Sequence, residues 1–237
     1  MQPKSRASFL LSPKFQVPAT WVWNVVGTLA VAVVVAAALP QNIALDRSAL
    51  TQEPSLALIP ILSEILLVGF LPIVFSVLRR DQAAEYGITG KRLFVSLVLS
   101  AGVVLAYFAY LSLRAGVLTT SVQLPGLHQP TLGNALLAVL ALVAYGPLEV
   151  FFVVWLIHNT DRIFNTEAKT WSSGLILTIA IYGLLHSFSQ GANSVVIATE
   201  MLALGLVFKR TRDSIGPMLA FMLMNEYAWF LATVLLP

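Results

Sequence analysis

Four glutamates lie inside long apolar runs of this chain: Glu64, Glu149, Glu200 and Glu226. His186 and Asn225 lie inside such runs too. These residue types do acid–base work. A carboxylate can take a proton from a water, and a histidine or an asparagine can donate to a developing oxyanion. Their surroundings make them costly. An ionised side chain at mid-bilayer costs at least ~2.5–3.5 kcal/mol even on lenient insertion scales, and no Lys or Arg is expected beside these acids. Two escapes exist: the carboxyl keeps its proton, or it faces a wet cavity with hydrogen-bond partners. By either route such residues usually face a bundle interior and are functional candidates by default.

Each candidate also has a structural reading. Glu64 lies between Pro60 and Pro72 and could bond a carbonyl freed by a bend. Glu200, midway along a short span, could bond a neighbouring helix. Glu226 points ~100° away from Asn225 around a helix, toward another face or a partner protein. Asn225 could be interhelical glue, and His186, near a hairpin turn, could be satisfied packing. His158 closes a span at the membrane interface, where a wet histidine needs no special account.

The elements that must position these residues follow from composition. The chain has 237 residues, 58% hydrophobic and 11% charged, with mean hydropathy +0.84. Soluble domains carry about 25% charged residues. The expected fold is therefore all-α, a multi-pass transmembrane helix bundle. A crossing helix needs about 20 apolar residues, which gives seven spans at about 18–40, 55–78, 93–113, 133–158, 171–188, 193–208 and 215–236. The fifth and sixth form a tight hairpin across Ser189 to Asn193. Pro60 and Pro72 should bend the second, because each removes a backbone donor. The first run resembles a signal peptide ending at Ala36 to Ala38, but it exceeds the expected 7–15 apolar residues and reads as an anchor.

All 14 Lys and Arg residues are expected in loops, and they fall unevenly. Lys4, Arg6 and Lys14 precede the first span; Arg79, Arg80, Lys91 and Arg92 follow the second. Arg162 and Lys169 follow the fourth; Lys209, Arg210 and Arg212 follow the sixth. Only Arg47 and Arg114 fall on the other side. The positive-inside rule then puts the N-terminus in the cytoplasm and the C-terminus outside. Orientation also accounts for the net charge of +3. No basic patch is interleaved with aromatics, so no nucleic-acid partner is expected. Cysteine is absent, which excludes disulfides and thiolate metal sites; no metal or cofactor is implied. There is no internal repeat, low-complexity tract or soluble domain. The outer loop, about Arg114 to Leu132, is expected to order against the bundle. Membrane lipids are the expected surroundings, in a prokaryotic plasma membrane rather than an organelle.

Residues 79–237 resemble the CPBP family, the CAAX-protease and bacteriocin-processing intramembrane endopeptidases; residues 1–78, a tail and two spans, carry little of the likeness. The family has Glu-Glu-x-x-x-Arg, then Phe-x-x-x-His, then His-x-x-x-Asn/Asp on successive helices. Here the first motif reads Glu149-Val150-Phe151-Phe152-Val153-Val154 after Gly146-Pro147. The second reads Tyr182-Gly183-Leu184-Leu185-His186. The third reads Phe221-Met222-Leu223-Met224-Asn225 after Ser214-Ile215-Gly216-Pro217. Leu204 to Thr211 and Glu85-Tyr86-Gly87-Ile88 are similar to flanking segments of the family. The departures are Val150 for the second glutamate, Val154 for the arginine, Phe221 for the last histidine, and Tyr182 for phenylalanine.

The resemblance implies metal-independent peptide hydrolysis, with Glu149 as general base and His186 and Asn225 as donors to the oxyanion. Phe221 would share a helix face with Asn225 at i, i+4 and can neither donate nor take a proton. Losing one such donor costs on the order of 10²–10³ in rate. Helix rise sets Glu149 and Asn225 ~13–15 Å from the inner face and His186 ~20 Å or more. Three functions follow as expectations. The favoured one is a catalytically impaired homologue that binds or assembles another membrane protein. Abundant intramembrane aromatics, including Trp155, Tyr182, Tyr227, Trp229 and Phe230, suit that role. The second is an active endopeptidase cutting a membrane-tethered or prenylated substrate. The third is a proton or cation path through Glu64, Glu149 and Glu200.

Overall fold

The computed structural model describes residues 9–38, 54–119, 131–225 and 228, and every regular element among them is helical. The helices are α1 Pro13–Ala38, α2 Pro54–Glu64, α3 Phe70–Arg79, α4 Leu93–Ala115, α5 Leu132–Val143, α6 Glu149–Phe164, α7 Ser173–Gln190, α8 Ser194–Thr211 and α9 Ile215–Met224. A wide π-helical turn, Ile65–Gly69, joins α2 to α3, and another, Ala144–Leu148, joins α5 to α6. As continuous rods the nine helices make seven. Five rods are long and apolar enough to cross a membrane; α7 and α9 are apolar but shorter.

Each expected span falls on one of these rods. Between Pro60 and Pro72, where a bend is expected, the helix carries the π turn Ile65–Gly69. The second π turn contains Pro147. Proline has no N–H for the carbonyl four residues back, and a π turn hands that carbonyl to the next donor along. The 3₁₀ turn Gly191–Asn193 links α7 to α8 as the expected hairpin.

Three expectations need correction. Several cations placed in loops lie on helices: Arg79 ends α3, Arg114 sits in the last turn of α4, Arg162 in that of α6, and Lys209 and Arg210 in that of α8. The helices overrun their apolar stretches, because basic residues favour a helix C-terminus. The seventh helix does not run through Asn225. α9 ends at Met224, and Asn225 is extended, with φ −85° and ψ 136°. Asn225 therefore does not continue the Phe221 helix face at i, i+4. The expected continuation through Glu226, Tyr227, Trp229 and Phe230 lies outside the described residues, as does most of the loop after Arg114.

α6 is the hub. Phe152, Val153, Val154, Trp155, Leu156 and Ile157 are all buried, so nearly every side of this helix is covered. Trp155 stacks on Phe75 at 6.2 Å and donates from Nε1 to Ser76 Oγ at 3.1 Å, tying α6 to α3. α1 and α7 also flank α6, and α9 packs chiefly on α4. A Cβ on Gly216 would lie 2.7 Å from the Ser96 carbonyl oxygen, so only glycine lets α9 approach α4 this closely.

Ion pairs close the end of the bundle where the basic residues gather. Lys209 Nζ meets Asp161 Oδ2 at 2.6 Å, both side chains 1% exposed. Asp161 Oδ1 also accepts from Thr166 Oγ1 at 2.8 Å and the Gly174 amide at 2.7 Å. Arg79 donates to Asn159 Oδ1 at 2.6 Å, Gln16 Oε1 at 3.1 Å and Asp81 Oδ1 at 3.1 Å. Tyr86 donates to Asp81 Oδ2 at 2.5 Å.

Candidate functional site

The two π turns pack directly on one another. A Cβ on Gly69 would lie 2.6 Å from the Leu148 side chain, so glycine permits the contact. Glu64 immediately precedes the first turn and Glu149 immediately follows the second. π turns inside α-helices occur often at functional sites. Here they bring together two carboxyls that lie 85 residues apart in sequence, near enough to interact electrostatically.

Glu149 is buried, 6% exposed. The Tyr182 hydroxyl donates to its Oε1. His186, one turn further along α7, stacks on the Tyr182 ring with centroids 4.1 Å apart. Its Nδ1–H donates to the Tyr182 carbonyl at 2.9 Å. A carbonyl only accepts, so Nδ1 carries a proton. Thr178, Tyr182 and His186 follow one face of α7 at i, i+4, i+8. The Thr178 hydroxyl is buried there without a hydrogen-bond partner.

Glu200 on α8 also interacts electrostatically with Glu149, and Tyr182 feels all three carboxyls. The site is thus three acids from α2, α6 and α8 gathered around a tyrosine of α7. Arg79, Arg162 and Lys209 make their ion pairs elsewhere, with Asp81, Glu85 and Asp161. Among the described residues no three His, Cys, Asp or Glu side chains come together as metal ligands.

Of the three expected site residues, Glu149 and His186 share the Tyr182 side chain between them. Asn225 follows the end of α9. A Cβ on Gly146 would lie 2.4 Å from Met222 Cγ, so α9 passes close to the π turn that precedes Glu149. Glu64 makes no hydrogen bond to a freed carbonyl; its nearest ionisable neighbour is Glu149.

Tyr182 is the residue that sequence reasoning undervalued. It read as a mild aromatic replacement, yet its hydroxyl, the one atom group phenylalanine lacks, is what holds Glu149. The other departures meet in packing. Val150 and Val154 are both 2% exposed, in one apolar cluster with Tyr182, and Phe221 packs against that cluster. No family model, curated protein or solved structure matches the chain.

Proposed function

We propose that the chain is a seven-span integral membrane protein, N-terminus cytoplasmic, built on a scaffold of CPBP type that no longer hydrolyses peptides. It acts as a binding or assembly subunit for another membrane protein, in a prokaryotic plasma membrane. One observation carries this reading. Val150, Val154 and Phe221, at the places where the resemblance expects a carboxylate, a guanidinium and an imidazole, belong to a single apolar packing unit. A hydrolase needs fixed donors aimed at a developing charge; an apolar cluster supplies none.

Glu149 keeps a structural task, anchoring Tyr182 between α6 and α7. Purification in mild detergent from native membranes should yield the protein with a partner, uncleaved, at the same partner length in wild type and Glu149→Ala. The reading fails if the protein purifies alone and Glu149→Ala abolishes processing of a membrane-tethered substrate.

A second reading, proton passage through Glu64, Glu149 and Glu200, is favoured by the electrostatic interaction of Glu149 with each of the other two. It predicts acid-driven flux in proteoliposomes that Glu149→Gln removes. The fully buried Trp155, Leu156 and Ile157 obstruct any aqueous exit along α6 toward the basic end.

A further inference from the structure

Glu200 faces two ways. It interacts with Glu149 inward, and it also lines a groove of about 710 Å³ between α4 and α8. The groove-lining residues recur at helical spacing on both helices. Gly102, Ala106 and Tyr110 represent α4; Ala192, at the turn before α8, and Ala203 stand across from them. The two helices run antiparallel and are tied beyond both ends of the groove. Arg114 Nη1 donates to Asn193 Oδ1 at 3.2 Å, and Arg92 Nη1 donates to the Arg210 carbonyl at 3.3 Å. Between those ties the lining mixes small side chains, Gly102, Ala106 and Ala203, with larger ones such as Val103, Tyr107 and Val195. The opening runs roughly 16 Å, eleven residues of helix.

The charge within it selects an occupant. Among the described residues nothing hydrogen-bonds the Glu200 carboxyl, and its ionisable neighbour Glu149 has the same sign. A hydrocarbon chain would bring no donor. A second copy of this chain, docked face to face, would bring a second Glu200. We propose that this groove seats a transmembrane helix of a different membrane protein, carrying a Lys, Arg, His, Asn or Gln at the depth of Glu200. Small residues in the trough permit close helix approach, and a donor meeting the carboxyl fixes depth and register. The proposal rests on the assembly reading and names the surface that performs it.

A photo-crosslinking amino acid at Ala106 or Ala203, in the full chain in its own membrane, tests it. The same probe at Leu29, exposed on α1, is the control. The expected adduct at the groove positions maps by mass spectrometry to a membrane-spanning segment with such a donor. Glu200→Leu should weaken its yield roughly three- to thirty-fold, the worth of one interhelical hydrogen bond. Glu200→Lys should abolish it, and a glutamate at the partner's donor position should restore it. An unchanged Leu29 adduct profile in these variants shows that they still fold. Adducts to lipid alone, to a second copy, or equally at Leu29 overturn the proposal. A co-purifying partner that crosslinks only elsewhere overturns the groove and leaves the assembly reading standing. Cleavage of the captured segment, lost in Glu149→Ala, overturns the assembly reading and leaves the groove.

Discussion

At the basic end of the bundle, Asp161 meets Lys209, and Asp81 meets Arg79 and Tyr86. Halfway along it, Glu64 and Glu200 each interact electrostatically with Glu149, which accepts from a tyrosine. Both regions bury carboxyls, and they treat them in opposite ways. The end gives Asp161 and Asp81 a cation and further donors, and their job is to hold helix ends in register. The middle gathers carboxyls around Glu149 and gives it a tyrosine hydroxyl. Opposite charges brought together report architecture; like charges brought together need donors or protons to coexist.

The largest effect expected from this contrast is at Lys209. Lys209→Met strands the Asp161 carboxylate in a dry site, and removing one member of a buried pair costs about 3–5 kcal/mol. Thermal unfolding in detergent should show it, with most of the loss recovered in the Asp161→Asn, Lys209→Met double variant. A single variant as stable as wild type would erase the distinction between the two regions.

In the middle the order of harm reverses. Tyr182→Phe removes the hydroxyl donor and leaves Glu149 buried with one partner fewer, at about 1–3 kcal/mol. Glu149→Gln keeps an acceptor for that hydroxyl and takes a carboxyl out of the cluster, so it should unfold no earlier than wild type. Asp161→Asn, the same chemical change at the paired end, should be clearly destabilising. Equal losses from the two amide substitutions would show that Glu149 is held as an ion, like Asp161.

How much of this was legible beforehand varied with the physics. The seven rods follow from apolar run lengths, and Glu149 and His186 stood out because polar residues in lipid-depth helices are rare. Pro147 was visible, but its consequence, a π turn that brings Glu149 to Glu64, depends on how the backbone repairs a missing donor. The end of α9 at Asn225 was hidden, since its composition continues the helix. Arg79 and Lys209 counted only as orientation signals. Arg79 finds a carboxylate two residues on, in Asp81, but its bond to Asn159 and the burial of Lys209 against Asp161 depend on α6 arriving, and no local spacing encodes that. Tyr182 was misjudged because resemblance weighs the ring, while the site uses the hydroxyl.

The smallest effect sharpens the comparison most directly, because it reads the charge state of the basic end. Burial, with the hydrogen bond to Asp81, pushes the Tyr86 phenol up to about 12. A tyrosine in an unfolded chain titrates near 10. The folded state therefore favours the neutral phenol, and this contribution is complete below about pH 10 and is lost as pH rises through about 12. At neutral pH, Tyr86→Phe should cost only about 0.5–1.5 kcal/mol, the net worth of one hydrogen bond. The wild-type minus Tyr86→Phe difference in phenolate absorbance should rise near pH 12, and Asp81→Asn should move that rise toward 10. A difference spectrum already complete at pH 10 would mean that Tyr86 is neither desolvated nor bonded to Asp81. The Arg79, Asp81 and Tyr86 cluster would then no longer stand beside Asp161 and Lys209 as a buried, bonded group.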